Sequence, residues 1–185
     1  MTTQQQINGL DMDVIQQTVN AVRQDPELGQ MKFHITNKWA GGSHNCSTIS
    51  SFYGAKKEMS HKQPFQLYAD EPPLLAGQDE AANPVEHLLN ALASCVTTSI
   101  VAHAAVRGIH IEELESQVEG DLDLRGFLGL DPTIPKGFTN IRLNFKVKSD
   151  VDDLDRLKKL AEFSPVFNTI TKGAVVDIQI EPKAS

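Results

Sequence analysis

Apolar residues recur every three to four positions between Asp11 and Gln24, where Met12, Ile15, Val19 and Val22 share one side. That spacing predicts an amphipathic helix, closed by Asp25-Pro26. The period falls to two from Lys32 to Trp39, where Phe33, Ile35, Asn37 and Trp39 alternate with Lys32, His34, Thr36 and Lys38. A strand follows from that alternation. Gly41-Gly42-Ser43-His44-Asn45 then turns the chain, and Cys46 to Tyr53 returns as the hairpin partner. Phe65 to Ala69 reads as a third strand. Asp70 to Ala82, rich in proline, glycine and acids, reads as a loop.

The next stretch changes character, with no formally charged residue between Glu86 and Arg107. Asn83 is a good N-cap, Pro84 suits the first helical position, and Gly108 stands where a helix stops. One long helix is therefore predicted from Pro84 to about Arg107. Its 20 residues from His87 to Val106 are enough to span a bilayer, but seven are polar, which predicts a buried core helix instead. Leu114 to Leu124 and Ile141 to Val147 read as strands, the latter with Ile141, Leu143, Phe145 and Val147 on one side. Asp153 to Phe163 is amphipathic, with Leu154, Leu157, Leu160 and Ala161 inward. Ser164-Pro165 opens a short helix, and Ala174 to Ile180 is a last strand. Two β meanders around one dominant helix imply an α+β fold. A helix so apolar on all sides is explained by burial against a second copy, so a homodimer is expected.

Composition narrows the function classes. A chain of 185 residues with net charge -7 and no basic cluster argues against nucleic acid and against an anionic membrane as partners. The first residues lack a positive flank and an apolar run, so no signal peptide is expected. The two cysteines, Cys46 and Cys95, lie far apart in sequence, which is no secreted disulfide scaffold and makes a reducing cytoplasm the expected location. Six histidines show no zinc spacing, so no metal is expected; His44-x-Cys46 is the nearest approach to a ligand pair. Gly126-Phe127-Leu128-Gly129-Leu130 is too short for a phosphate cradle. Asp70-Glu71 and Asp79-Glu80 read as solvated loop charges, and Trp39 as packed on the sheet. Cys95, in the middle of the uncharged helix, suits a thiol that meets an apolar substrate. It equally suits a core cysteine, among the most buried of residue types.

Four segments together resemble the OsmC/Ohr family of stress-induced, thiol-dependent peroxidases. They are Gly41-Gly42-Ser43-His44, the Asp70-Glu71-Pro72-Pro73 loop, the helix from Asn83-Pro84-Val85-Glu86-His87-Leu88-Leu89 to Cys95, and Ser164-Pro165-Val166. The resemblance spans roughly Lys38 to Glu181, and Gly120 to Gly129 resembles a less characterised OsmC-like branch. It implies a single OsmC-like domain over residues 31–185, preceded by a helical extension over 1–30. The implied fold wraps antiparallel sheets around long central helices in an intertwined homodimer. The implied chemistry is reduction of a small organic hydroperoxide. A helix cysteine becomes a sulfenic acid, a second cysteine captures it, and an external thiol or dithiol, with no bound cofactor, restores the pair. An arginine and a glutamate hold the thiolate ready.

Cys95 matches the attacking cysteine, but Ser164 occupies the second cysteine's place and reads as an N-cap. The glutamate of the peroxidases falls on Val85, ten positions before Cys95, with Glu86 at nine. One residue rotates a helix by about 100°, which leaves two roles for Glu86: contact with Cys95, or capping of the helix start. No arginine follows the glycine turn; Cys46 stands at or next to its place, and His44 is the nearby group able to carry positive charge. Arg125 is an alternative cation or a solvated loop arginine. The candidate site is therefore Cys95, Glu86, Cys46 and His44, with Cys46 as substitute resolving thiol or gap-filling strand residue. Two functions stay open: a peroxidase with atypical helpers, or a degenerate relative that binds a small ligand or senses oxidation.

Overall fold

The computed structural model describes residues 6–183. They fall into two compact units, Met1–Asn90 and Ala91–Ser185, with the boundary inside the long helix.

In the first unit a two-stranded hairpin, β1 (Gln6–Ile7) and β2 (Leu10–Asp11), leads into α1 (Met12–Gln24). Asp11 caps this helix, its Oδ1 accepting the N–H groups of Asp13 at 3.0 Å and Val14 at 3.2 Å. The strand expected from Lys32 to Trp39 forms in two pieces, β3 (Lys32–Phe33) and β4 (Thr36–Gly41), broken at His34-Ile35. Both pair antiparallel with β5 (His44–Gly54), and β6 (Lys57–Ala69) pairs with β5 as well. β6 starts eight residues before its expected start at Phe65 and passes through Pro64. The ladder tolerates this proline because its register shifts between Ile49 and Ser51 there. Ala55 (φ 48°) and Lys56 (φ 63°) form the two-residue turn between β5 and β6. Lys56 Nζ lies 2.5 Å from Asp25 and 2.9 Å from Glu27, which ties the end of α1 to this turn. Trp39 does not pack on the sheet: it is 76% exposed, and its indole N–H donates to Gly42 O at 2.9 Å.

The long helix is α2 (Pro84–Val106). Asn83 Oδ1 accepts the Val85 N–H at 2.9 Å while Glu86 Oε2 accepts the Asn83 N–H at 2.8 Å, a reciprocal capping box. At the far end Gly108 takes φ 69°, and Ile109 N–H reaches back to Ala104 O at 3.0 Å. This is a Schellman ending, which needs a residue free to be left-handed.

In the second unit β7 (Ile111–Asp121) and β8 (Asn140–Ser149) form an antiparallel ribbon. Leu124 belongs to a short helix, α3 (Leu124–Phe127), and not to the strand, because Asp123 caps it by accepting the Arg125 N–H at 2.9 Å. α4 (Leu154–Leu160) and α5 (Pro165–Lys172) follow, with Ser164 as the N-cap of α5. Leu92, Val96, Ile100 and Ala104 of α2 pack with Ile109, Leu157 and Leu160 into the core. α2 is long and apolar enough to cross a membrane, and this face of it is a core face. Leu154, expected inward, is 57% exposed because it sits at the start of α4, beside an apolar groove.

The inner face of the ribbon carries Leu114, Val118, Ile141, Leu143, Phe145 and Val147. The outer face pairs Glu113 with Lys148, Glu115 with Lys146 and Glu119 with Arg142. Ala174 to Ile180 forms no strand; its alternating apolar residues have no ladder partner among the described residues.

Candidate functional site

Cys95 sits midway along α2, half-buried, next to the buried Val96. Its surroundings are set by the absence of charge on this stretch, so the thiol lies at the margin of the core face. Glu86 is committed elsewhere, since its carboxylate accepts the Asn83 N–H at the helix start. Nine residues of helix are two and a half turns, or about 13.5 Å of rise, and place the two side chains on opposite sides of the helix.

The glycine turn and the acidic loop meet at one residue that sequence reading treated as a solvated charge. Asp70 is buried, 1% exposed. Its Oδ1 accepts the Ser43 hydroxyl at 2.6 Å, and its Oδ2 accepts the N–H groups of Gln78 at 3.0 Å and Glu80 at 3.1 Å. The Ser43 hydrogen bond, with the backbone donors, holds its carboxyl well below the usual carboxylate range. The loop folds around this carboxylate. Gly77 allows the tight path, because a Cβ there would lie 1.6 Å from Glu71 O. His44 Nε2 stands 3.4 Å from Asp70 and 3.7 Å from Glu80, so two carboxylates flank the imidazole. At the loop's end Asn83 Nδ2 donates to Glu71, and His87 Nε2 donates to Tyr68 O at 2.9 Å, joining the first turn of α2 to β6.

Cys46 lies on β5, half-buried, opposite Lys38 of β4 on one side and Tyr68 of β6 on the other. Directly opposed residues share a face. A lysine therefore stands beside the place where the sequence offers no arginine. Lys38 was missed because it belongs to the neighbouring strand; the register set by Gly41-Gly42 was the signal that could have found it. Arg125 does not supply a free cation, since Asp123 holds its guanidinium through Nε at 3.1 Å and Nη2 at 2.5 Å. Ser164 is fully buried, and its hydroxyl accepts the Phe167 N–H at 3.2 Å. Among the described residues no group of three His, Cys, Asp or Glu side chains is placed to hold a metal ion.

The second unit also has an apolar groove of about 500 Å³, with Val96 and Ile100 of α2 in its wall, Leu143 and Phe145 on its floor, and Lys158 and Glu162 at its rim.

The family profile described as OsmC-like protein matches residues 77–179, more than half of the chain and including all of α2. The chain belongs to the OsmC-like family. Solved structures share the fold of this OsmC-like protein. A provisionally described osmotic stress induced and detoxification response protein from Psychrobacter arcticus is 18% identical with a TM-score of 0.57; the match covers 75% of this chain and 88% of that one. An OsmC-like protein from Mycoplasma pneumoniae is 21% identical with a TM-score of 0.56, covering 76% and 87%. An OsmC-like protein of unknown function from Vibrio cholerae is 14% identical with a TM-score of 0.53, covering 75% and 92%. A comparison with curated proteins returned no match.

Proposed function

We propose that this OsmC-like protein serves stress defence as a homodimeric thiol peroxidase that reduces small organic hydroperoxides through Cys95. The observation that carries the reading is a half-buried thiol midway along a helix whose one formal charge is Glu86 in its first turn, within the family-matched region. The Cys95 thiolate attacks the outer oxygen of the hydroperoxide and the O–O bond breaks. The alkoxide leaves and takes up a proton, and the sulfur becomes a sulfenic acid. The Cys46 thiol then attacks that sulfur, water leaves, and a disulfide forms. An external dithiol returns both thiols and is itself oxidised, so no bound cofactor is required. A cation favours the leaving alkoxide; Lys38 and His44 are the candidates on the strands around Cys46. In this reading Glu86 organises the helix start and does not touch the thiol.

Exposed apolar surface supports the homodimer. Phe33 is 72% exposed and stacks on Phe52, which continues through His61 to Phe65 as a row of rings across the first sheet. Val175, Val176, Ile178 and Ile180 are also exposed. Large apolar patches on a soluble chain mark association surfaces. A reducing cytoplasm keeps both thiols ready.

The test is intact and peptide mass spectrometry after one equivalent of an organic hydroperoxide, with dimedone present and no reductant. A trapped Cys95, or a Cys95–Cys46 disulfide, supports the peroxidase. An unmodified Cys95 defeats it. A second reading, a ligand-binding or redox-sensing relative, is favoured by Ser164, whose buried hydroxyl is occupied as a helix cap. A Cys95→Ser protein that reduces peroxide as fast as wild type decides for that reading.

A further inference from the structure

We infer that the last turn of α2 carries a pH-sensitive latch, made by His103, Arg107 and Phe163, which releases Arg107 when the imidazole takes up a second proton. All three residues belong to the second unit. The His103 ring lies against the Phe163 ring, with centroids 3.9 Å apart and planes 22° from parallel. Arg107, one turn along the helix, holds its guanidinium carbon 5.4 Å from the same Phe163 centroid. Its Nη1 donates to His103 O at 2.9 Å and lies 3.3 Å from His103 Nδ1.

A guanidinium has donors and no acceptor. His103 Nδ1 must therefore present its lone pair, which leaves the ring neutral with its proton on Nε2. A second proton would set N–H against N–H and one cation against another at that short distance. Two effects oppose this: the negative end of the helix and the face of Phe163 both favour a cation. Burial and the Arg107 charge hold the His103 pKa below its ordinary value. From α2 the charged group facing the ring is Arg107. The segment after α4 presents the uncharged Phe163 ring to it, while the neighbouring Glu162 lines the groove.

The sign follows from the lowered pKa. The latch holds above the ordinary histidine value of 6.5 and is lost as pH falls through the lowered pKa of the folded chain. The protonated ring keeps its place on Phe163. Arg107 leaves, and the helix end loses the side-chain donor on His103 O, so the turn before Gly108 loosens.

The experiment uses the full chain as wild type, His103→Phe and Arg107→Gln. Nitrogen-15 NMR follows the His103 ring through a pH titration. Amide exchange of residues 104–110 is read at pH 7.5 and 5.5 with intrinsic rates divided out. The expected result is an Nε2–H tautomer at pH 7.5, a midpoint below 6.5 that rises in Arg107→Gln, and exchange that quickens several-fold at pH 5.5 in wild type only. An Nδ1–H tautomer, a midpoint at or above 6.5, or equal quickening in His103→Phe would overturn the latch. His103→Phe keeps a ring on Phe163, and Arg107→Gln, a surface change, gives an independent reading of the same contact.

Discussion

Replacing Ser164 with alanine isolates what this residue does in place of the cysteine that the family resemblance implies. Its hydroxyl accepts the Phe167 N–H at 3.2 Å, and the residue is fully buried. Loss of a serine cap costs about 0.5–2 kcal/mol. Because Ser164 is buried, truncation takes away the partner of the Phe167 N–H inside the fold, which moves the cost to the upper end, about 2 kcal/mol. For a chain of this size each kcal/mol lowers the melting temperature by about 2–4 °C, so a fall of about 4–8 °C is expected. The backbone carbonyl of Ser164 still accepts from Asn168 Nδ2 at 2.9 Å, so the helix should persist with a looser first turn. Ser164→Thr should keep most of the stability. Ser164→Cys should lose nearly as much as alanine, because sulfur is a weak acceptor. Differential scanning calorimetry at one fixed protein concentration, with circular dichroism on each variant, measures this. If alanine melts within about 1 °C of wild type, the hydroxyl is no effective cap and the reasoning from burial is wrong.

Other expectations follow from single contacts. Asp70 has a lowered carboxyl pKa, so its contribution is present above 3.8 and is lost as pH falls below that value; urea titrations from pH 5 to pH 2 should show a shallower acid decline in Asp70→Asn than in wild type. Gly77→Ala would drive a Cβ into Glu71 O, so the loop around Asp70 must open, and soluble yield and melting temperature should both drop sharply. Ala55→Asn should raise stability by about 0.5–1 kcal/mol in chemical denaturation, since asparagine tolerates the left-handed conformation that alanine is forced to hold at φ 48°. Lys38→Gln should slow turnover of an organic hydroperoxide while Lys38→Arg preserves it; equal rates in both would remove Lys38 from the chemistry.

Much of the fold was legible because its signals are local. Asn83-Pro84, the uncharged run and Gly108 mark both ends of α2, and alternation marks β8. The failures come from information that lies across the chain. Nothing local distinguishes a buried Asp70 from a solvated one; its partners Ser43, Gln78 and Glu80 come from two loops. Lys38 becomes a neighbour of Cys46 only through strand register. Trp39 was expected on the sheet, but its side chain is exposed and its N–H donates to Gly42 O. Ala174 to Ile180 has the pattern of a strand, and a pattern cannot supply a pairing partner. Of the candidate site, Ser164 as a cap and Glu86 at the helix start were readable, since capping is a rule of residue type and position.

The acidic and basic outer faces of β7 and β8 also bear on self-association. Opposite charges face each other at Glu113–Lys148, Glu115–Lys146 and Glu119–Arg142 within a single ribbon, and Arg142 is ion-paired with Glu119. Two β7 edges from different molecules would bring acid rows together, and two β8 edges would bring basic rows together. Like charges repel across neighbouring strands. An edge that refuses its own kind still admits an uncharged strand. The ribbon is thus guarded against indiscriminate stacking into fibres at low salt, and this guard should weaken as ionic strength rises.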